Sequence, residues 1–282
     1  MKSSQTTTDD PRALLAQAGC LPDDQIDLTE LALAFAALDR PRVGLDWYRD
    51  HLDLLSGEVA KVAAERDDGG VDDAATALSG VIAMRYGYQG DLLSFDDLQN
   101  ANLMRVIDRR KGLPVSLSIL YLHAGRAQGW NLAGLNFPGH FLIRLDRAGE
   151  RAIIDPFNGG IVRTPNDLRD LLKSVAGIDA ELEPAHYAPV SDRDILIRLQ
   201  SNIKIRHVQA ERYEDALEIL QTLTLLAPNE PSLWHEAGLL NAQTGNLRAA
   251  VAALEHVLSF GLSDQDAHQT AMLLQRLKAQ QN

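Results

Sequence analysis

Cysteine is almost missing from this sequence: Cys20 is the single one in 282 residues. One thiol cannot build an internal disulfide framework, so burial and hydrogen bonds must hold the fold, and the usage fits a reducing compartment. Long apolar runs are missing too. None approaches the roughly 18–20 residues that span a bilayer. The opening MKSSQTTTDDPR has no apolar stretch behind its Lys, which argues against a secretory signal. A cytoplasmic protein with no membrane partner is expected. Basic charge is scarce: 27 Lys and Arg against 39 Asp and Glu leave a formal charge of −12. A nucleic-acid duplex needs a basic face, so no nucleic-acid partner is expected. Arg109, Arg110 and Lys111 are a local exception, either helix C-terminal charges complementing the dipole or an anion contact. The histidines show no metal-ligand spacing, and Gly69-Gly70 and Gly159-Gly160 lack the context of a phosphate loop. Neither a metal nor a cofactor is expected.

What the chain does have is a hydrophobic fraction of 45%, enough for one large domain or two ordinary ones. Residues 1–24 read as a flexible N-terminus. From 25 to 110 the periodicity is helical. Asp27 and Glu30 have capping-box spacing ahead of an apolar stretch that stops at Pro41. Leu45, Tyr48, Leu52, Leu55, Val59 and Val62 recur at three and four residues, and further helices are predicted over 73–86 and 98–110. Residues 111–188 change character. An apolar helix, VSLSILYLHAGRAQ, precedes NLAGLNF, FLIRLD and RAIID, each of strand length, with RAGE as a hairpin turn, IVRT as a further strand and a helix over 165–175. A helix followed by an antiparallel sheet is an α+β core. From 189 to 282 the pattern is helical again and repeats every 34 residues: Tyr213 with Leu247, Ala216 with Ala250, Leu220 with Leu254. Pro228, Trp234 and Gly238 fall at the expected positions of two degenerate tetratricopeptide units, followed by a capping helix.

Three polar residues of the middle segment suggest chemistry. Ser116 opens the apolar helix, His140 sits at a Pro-Gly corner leading into a strand, and Asp155 ends the next strand. A nucleophile at a helix N-terminus, with an imidazole oriented by a carboxylate on an adjacent strand, is a papain-type constellation. The dipole and free N–H groups there favour an oxyanion. A Ser hydroxyl, unlike a Cys thiol, does not ionise and depends on the base taking its proton. The plainer alternative makes Ser116 an N-cap, Ser118 a packing residue on another face, and Asp155 a turn residue before Pro156.

Three stretches, GLPVSLS, PGHFLIR and IDPFNGG, together with NANLMRVIDRR ahead of them, resemble the bacterial transglutaminase-like proteins related to the Sir-B-type invasion regulator. The resemblance covers roughly residues 25–278. It implies a helical N-terminal region, a transglutaminase-like (papain-like) core and C-terminal tetratricopeptide helices. It also implies a Cys-His-Asp triad that maps onto Ser116, His140 and Asp155, with Ser in place of Cys and Phe141 in place of the usual Trp beside the His. The expectation that follows is a non-catalytic binding or regulatory module with a degenerate triad. A protein or peptide partner would be engaged by a relic cleft, with Asn100, Asn102, Arg109, Arg110 and Gly139 as contacts, and by the tetratricopeptide surface. The alternative is a Ser-His-Asp hydrolase or acyltransferase acting on amide or ester bonds of a protein or peptide.

Overall fold

A computed structural model describes residues 10–66 and 69–281. Helix α1 (Pro11–Gly19) comes first, then α2 (Leu28–Asp39), α3 (Asp46–Ala64) and α4 (Val71–Ser79), which widens into a π-type turn over Gly80–Arg85. Strands β1 (Gln89–Gly90) and β2 (Lys111–Gly112) flank α5 (Leu103–Arg109), and α6 (Pro114–Arg126) follows. Then come β3 (Asn131–Leu135), β4 (Leu142–Arg147), β5 (Glu150–Asp155), β6 (Ile161–Val162), α7 (Pro165–Ala176) and β7 (Pro189–Val190). Helices α8 (Asp192–Gln209), α9 (Tyr213–Leu226), α10 (Pro231–Gln243), α11 (Leu247–Leu258) and α12 (Asp264–Gln281) complete the chain. The chain divides into two compact units, residues 22–199 and the remainder from both ends. Among the described residues no helix is long and apolar enough to cross a membrane.

The unit of residues 22–199 is α+β. The Asp27 carboxylate accepts from Thr29 N and Glu30 N, both at 3.0 Å, and starts α2. Helix α6 begins with Pro114 at its first turn, where no N–H is needed, and is buried on nearly every side, as its apolar composition requires. Five strands form an antiparallel sheet in the order β6-β5-β4-β3-β7. Between β4 and β5, Ala148 (φ 52°) and Gly149 (φ 82°) make the tight hairpin turn read from RAGE. Leu135, Leu142 and Ile153 pack with Leu168 and Leu172 of α7. Ile143, Leu145 and Ile154 alternate onto the other face, where α4 and α6 cover the sheet.

Several boundaries differ from the sequence expectation. The helix predicted over 98–110 is broken at Asn102, whose side chain accepts from Arg105 N at 3.1 Å and so starts a separate α5 after a 3₁₀ turn over Leu98–Ala101. The two-residue parallel pairing of β1 with β2 and the edge strand β7 are too short for any periodicity to reveal.

The flexible N-terminus is corrected over Pro11–Gly19. Asp10 caps α1 by accepting from Arg12 N at 3.0 Å, and α1 packs against α9. Residues 1–9 of that expected segment lie outside the described residues. In this second unit α9 to α12 pack in succession. Ala250 and Leu254 bury against Leu274 and Leu277. A Cβ at Gly238 would stand 2.8 Å from Leu254 carbons, so the close approach of α10 to α11 requires the small residue that the repeat predicted.

Candidate active site

Asp155 is the hub of the polar cluster. It terminates β5, and its buried carboxylate gathers donors from three directions. Oδ1 lies 2.8 Å from His140 Nε2 and accepts from Asn158 N at 3.3 Å. Oδ2 accepts from Asn158 Nδ2 at 2.8 Å and from Arg163 Nε and Nη2 at 3.0 and 2.7 Å. Burial by itself would push the Asp155 carboxyl up. The hydrogen bond and charge of His140, with hydrogen bonds from Asn158 and Arg163, outweigh it and hold the group down at about 2. An ionised acceptor opposite Nε2 puts the imidazole proton on that nitrogen.

The backbone around the pair explains three glycines. Gly139 has φ 67°, and a Cβ there would stand 2.7 Å from Val175 methyls, so the corner that aims His140 needs glycine. Gly159 and Gly160 (φ 74° and 75°) return the chain after Asp155, and Gly160 N donates to Asp155 O at 2.8 Å. A Cβ at Gly160 would meet the hydroxyl of Tyr121 at 2.5 Å. That phenol is buried without a hydrogen-bond partner among the described residues, and burial, helped by the Asp155 charge, pushes its pKa up. Arg198 Nη2 donates to His140 O at 2.9 Å while its guanidinium lies over Phe141 at 5.4 Å from the ring centroid. Phe157 meets the His140 imidazole edge-on, ring centroids 5.9 Å apart. Sequence reasoning missed Asn158, Arg163, Phe157 and Arg198. Arg163 stood inside IVRT, where only the strand-forming residues carried a signal.

Ser116 sits in the first turn of α6 rather than at its cap, which is Leu113. Its buried Oγ donates toward Asn100 O at 2.7 Å and Leu113 O at 3.0 Å. A hydroxyl has one proton, and both acceptors are backbone carbonyls. Among the described residues no hydrogen bond joins Ser116 to His140. The paired glycines of β1 and β2 pack closely on this region: a Cβ at Gly112 would stand 2.6 Å from Ser116 Oγ, and one at Gly90 would stand 2.5 Å from the Phe157 ring. Ser118 Oγ donates to Pro114 O at 2.7 Å within the helix, the packing role expected of it.

The expected contact residues of the preceding helix are bonded within the protein. Asn100 Nδ2 donates to Ser94 O at 2.6 Å and its Oδ1 accepts from Arg109 Nη1 at 3.0 Å. Arg109 also pairs with the buried Asp91 at 2.9 Å. Asn102 caps α5 and donates to Ala36 O at 3.1 Å. Arg110 takes a left-handed conformation (φ 59°), lies over the Tyr88 ring and bonds its hydroxyl and His51 Nε2. As an arrangement, His140 and Asp155 form a hydrogen-bonded imidazole–carboxylate pair, and the hydroxyl that the sequence offered as its nucleophile is bound to the main chain.

Comparison with known proteins agrees with this architecture. The family described as the transglutaminase-like superfamily matches residues 46–201, and the tetratricopeptide repeat matches residues 203–275. A UPF0162 protein of Vibrio cholerae serotype O1 is 31% identical over 237 residues, covering 83% of this chain and 86% of that protein. A UPF0162 protein of Pseudomonas aeruginosa is 33% identical over 223 residues, covering 78% of each. A shorter stretch of 82 residues is 34% identical to the F-box only protein 21 of Mus musculus, 29% of this chain and 13% of that protein. No solved structure matches the chain.

Proposed function

The chain belongs to the transglutaminase-like superfamily through residues 46–201, and from that premise we propose a non-catalytic, protein-binding or regulatory member with Ser in the nucleophile slot. One observation carries this reading: the Ser116 proton goes to the carbonyls of Asn100 and Leu113. A Ser nucleophile needs its base to take that proton in the transition state. The face around His140 and Asp155 would engage a protein segment, and the tetratricopeptide helices would supply a second protein contact, the use to which stacked helical repeats lend themselves. Asn100, Asn102, Arg109, Arg110 and Gly139 belong to the same proposal as contacts with that segment. Kinship with the Sir-B-type invasion regulators and a place in the cytoplasm belong to the same proposal, supported by GLPVSLS, PGHFLIR and IDPFNGG and by the single thiol.

The competing reading is a Ser-His-Asp hydrolase or acyltransferase, favoured by the 2.8 Å contact of His140 with Asp155. A serine-directed fluorophosphonate separates the two. No labelling of Ser116 in the folded full chain is expected, and Ser116→Ala retains partner binding. Labelling at Ser116 that disappears in His140→Ala would overturn the binding-module reading.

A further inference from the structure

A cleft of about 670 Å³ opens on the α+β unit, lined by Arg144, Arg151, Arg169, Leu182, Pro184 and Tyr187, with Glu183 as its acidic member and neither His140 nor Asp155 in its lining. Three guanidiniums on one cleft run against the charge of the chain, −12 in all. They come from three separate elements. Arg144 lies on β4, Arg151 on β5 and Arg169 on α7. The register pairs Asp146 of β4 with Arg151, and the alternation of β4 puts Arg144 on the same face.

The hydrogen bonds decide what those charges can do. Asp146 accepts from Arg144 Nε at 2.8 Å through Oδ2 and from Arg151 Nε at 2.7 Å through Oδ1. Its carboxyl is held below the ordinary carboxylate range, because the two guanidiniums outweigh the upward push of burial. One carboxylate thus orients both arginines by their inner nitrogens. Arg144 Nη1 is further fixed on Tyr187 O at 3.1 Å. The terminal nitrogens of Arg151 and the Nη2 of Arg144 make no hydrogen bond among the described residues, and Arg169 uses only Nη1, on Asn166 Oδ1 at 2.8 Å. A guanidinium presents its donors as a planar fork that matches a carboxylate. Leu182, Pro184 and Tyr187 give the apolar wall against which the stem of a glutamate side chain could lie. Separate anchoring on two strands and a helix spreads the forks over the cleft, which suits successive carboxylates along a chain better than a single small ion.

We propose that this cleft is a docking site for an acidic peptide segment of a protein partner, with Arg144, Arg151 and Arg169 as the carboxylate receptors. It is independent of whether Ser116 or His140 does chemistry. Fluorescence anisotropy of a labelled hexaglutamate peptide with the full chain tests it, with a hexaglutamine peptide as the neutral control. Binding of hexaglutamate but not hexaglutamine is expected at low salt, weakened at least about tenfold in R151E/R169E, unchanged in His140→Ala and lost in high salt. Arg151 and Arg169 are the exposed members, and circular dichroism of the double variant checks its fold; if it unfolds, Arg169→Gln alone, on the solvent side of α7, must still weaken binding severalfold. Equal binding of both peptides, or of hexaglutamate to wild type and folded variants alike, would overturn the proposal. So would failure of hexaglutamate to bind while inorganic phosphate shifts the arginine signals in NMR, since the site would then hold a small anion instead of a peptide.

Discussion

The Nε2 of His140 stands 2.8 Å from Oδ1 of Asp155, a carboxylate with no exposed surface whose other oxygen is held by Arg163 at 2.7 Å. Burial works against its charge, and the donors from His140, Asn158 and Arg163 overcome that, so its pKa is lowered from 3.8 to about 2. The native state therefore binds fewer protons than the unfolded chain between those values. The stability this group contributes is present in full above pH 3.8 and is lost as the pH falls toward 2, by roughly 2 kcal/mol. Urea denaturation between pH 2.5 and 5 should show that acid limb, and Asp155→Asn should flatten it. An unchanged limb in the variant would mean that another carboxylate carries the effect.

Replacing Ser116 by Ala should cost about 1 kcal/mol and no more. The lost bond ends on Asn100 O, which still accepts from Leu113 N at 3.1 Å, so no buried carbonyl is left without a donor. Chemical denaturation reads this directly. A loss of several kcal/mol would mean that the hydroxyl organises more of the α6 entry than its two bonds suggest.

The positions of His140 and Asp155 were legible because strand periodicity and the Pro-Gly corner place both at element ends that neighbour each other in an antiparallel sheet. The partner of Ser116 was not. Its acceptor, Asn100 O, belongs to a 3₁₀ turn sixteen residues earlier, and the entry to α6 follows directly on β2, whose pairing with β1 is two residues long. Local patterns carry no record of so short a ladder. The same limit hid α1. Its sequence, PRALLAQAG, is a helix of 9 residues whose apolar face has no local partner, and packing on α9 gives it one. Arg163 escaped notice for a different reason: an arginine just past a short edge strand is ordinarily solvated, and its role comes from a buried carboxylate eight residues back.

Gly90→Ala should disturb the imidazole without touching it. The new methyl would stand 2.5 Å from the Phe157 ring, which meets His140 edge-on, while Gly112, the strand partner of Gly90, lies close to Ser116 Oγ of α6. The ring must move, at a cost of about 1–3 kcal/mol. The proton signals of His140 in NMR should shift together with those of Phe157, with α9 to α12 unaffected. Signals of His140 that stay in place would disconnect Phe157 from the site.

His51 supplies the last test, of a charge held off rather than held on. Its Nε2 lies 2.8 Å from the Tyr88 hydroxyl and 2.7 Å from Arg110 Nη1. A guanidinium only donates, so Nε2 has to accept, and a proton there would point at a cation. Burial first, and the Arg110 charge second, lower its pKa from 6.5 to about 4. The native state then binds fewer protons than the unfolded chain over that interval. The contribution of His51 to stability is complete above pH 6.5 and declines as the pH falls toward 4. An NMR titration of the His51 Cε1 proton should show a midpoint near 4, and Arg110→Gln should raise it part of the way, because burial remains when the charge is gone. A wild-type midpoint near 6.5 would show that the ring is solvated and that Arg110 is turned elsewhere.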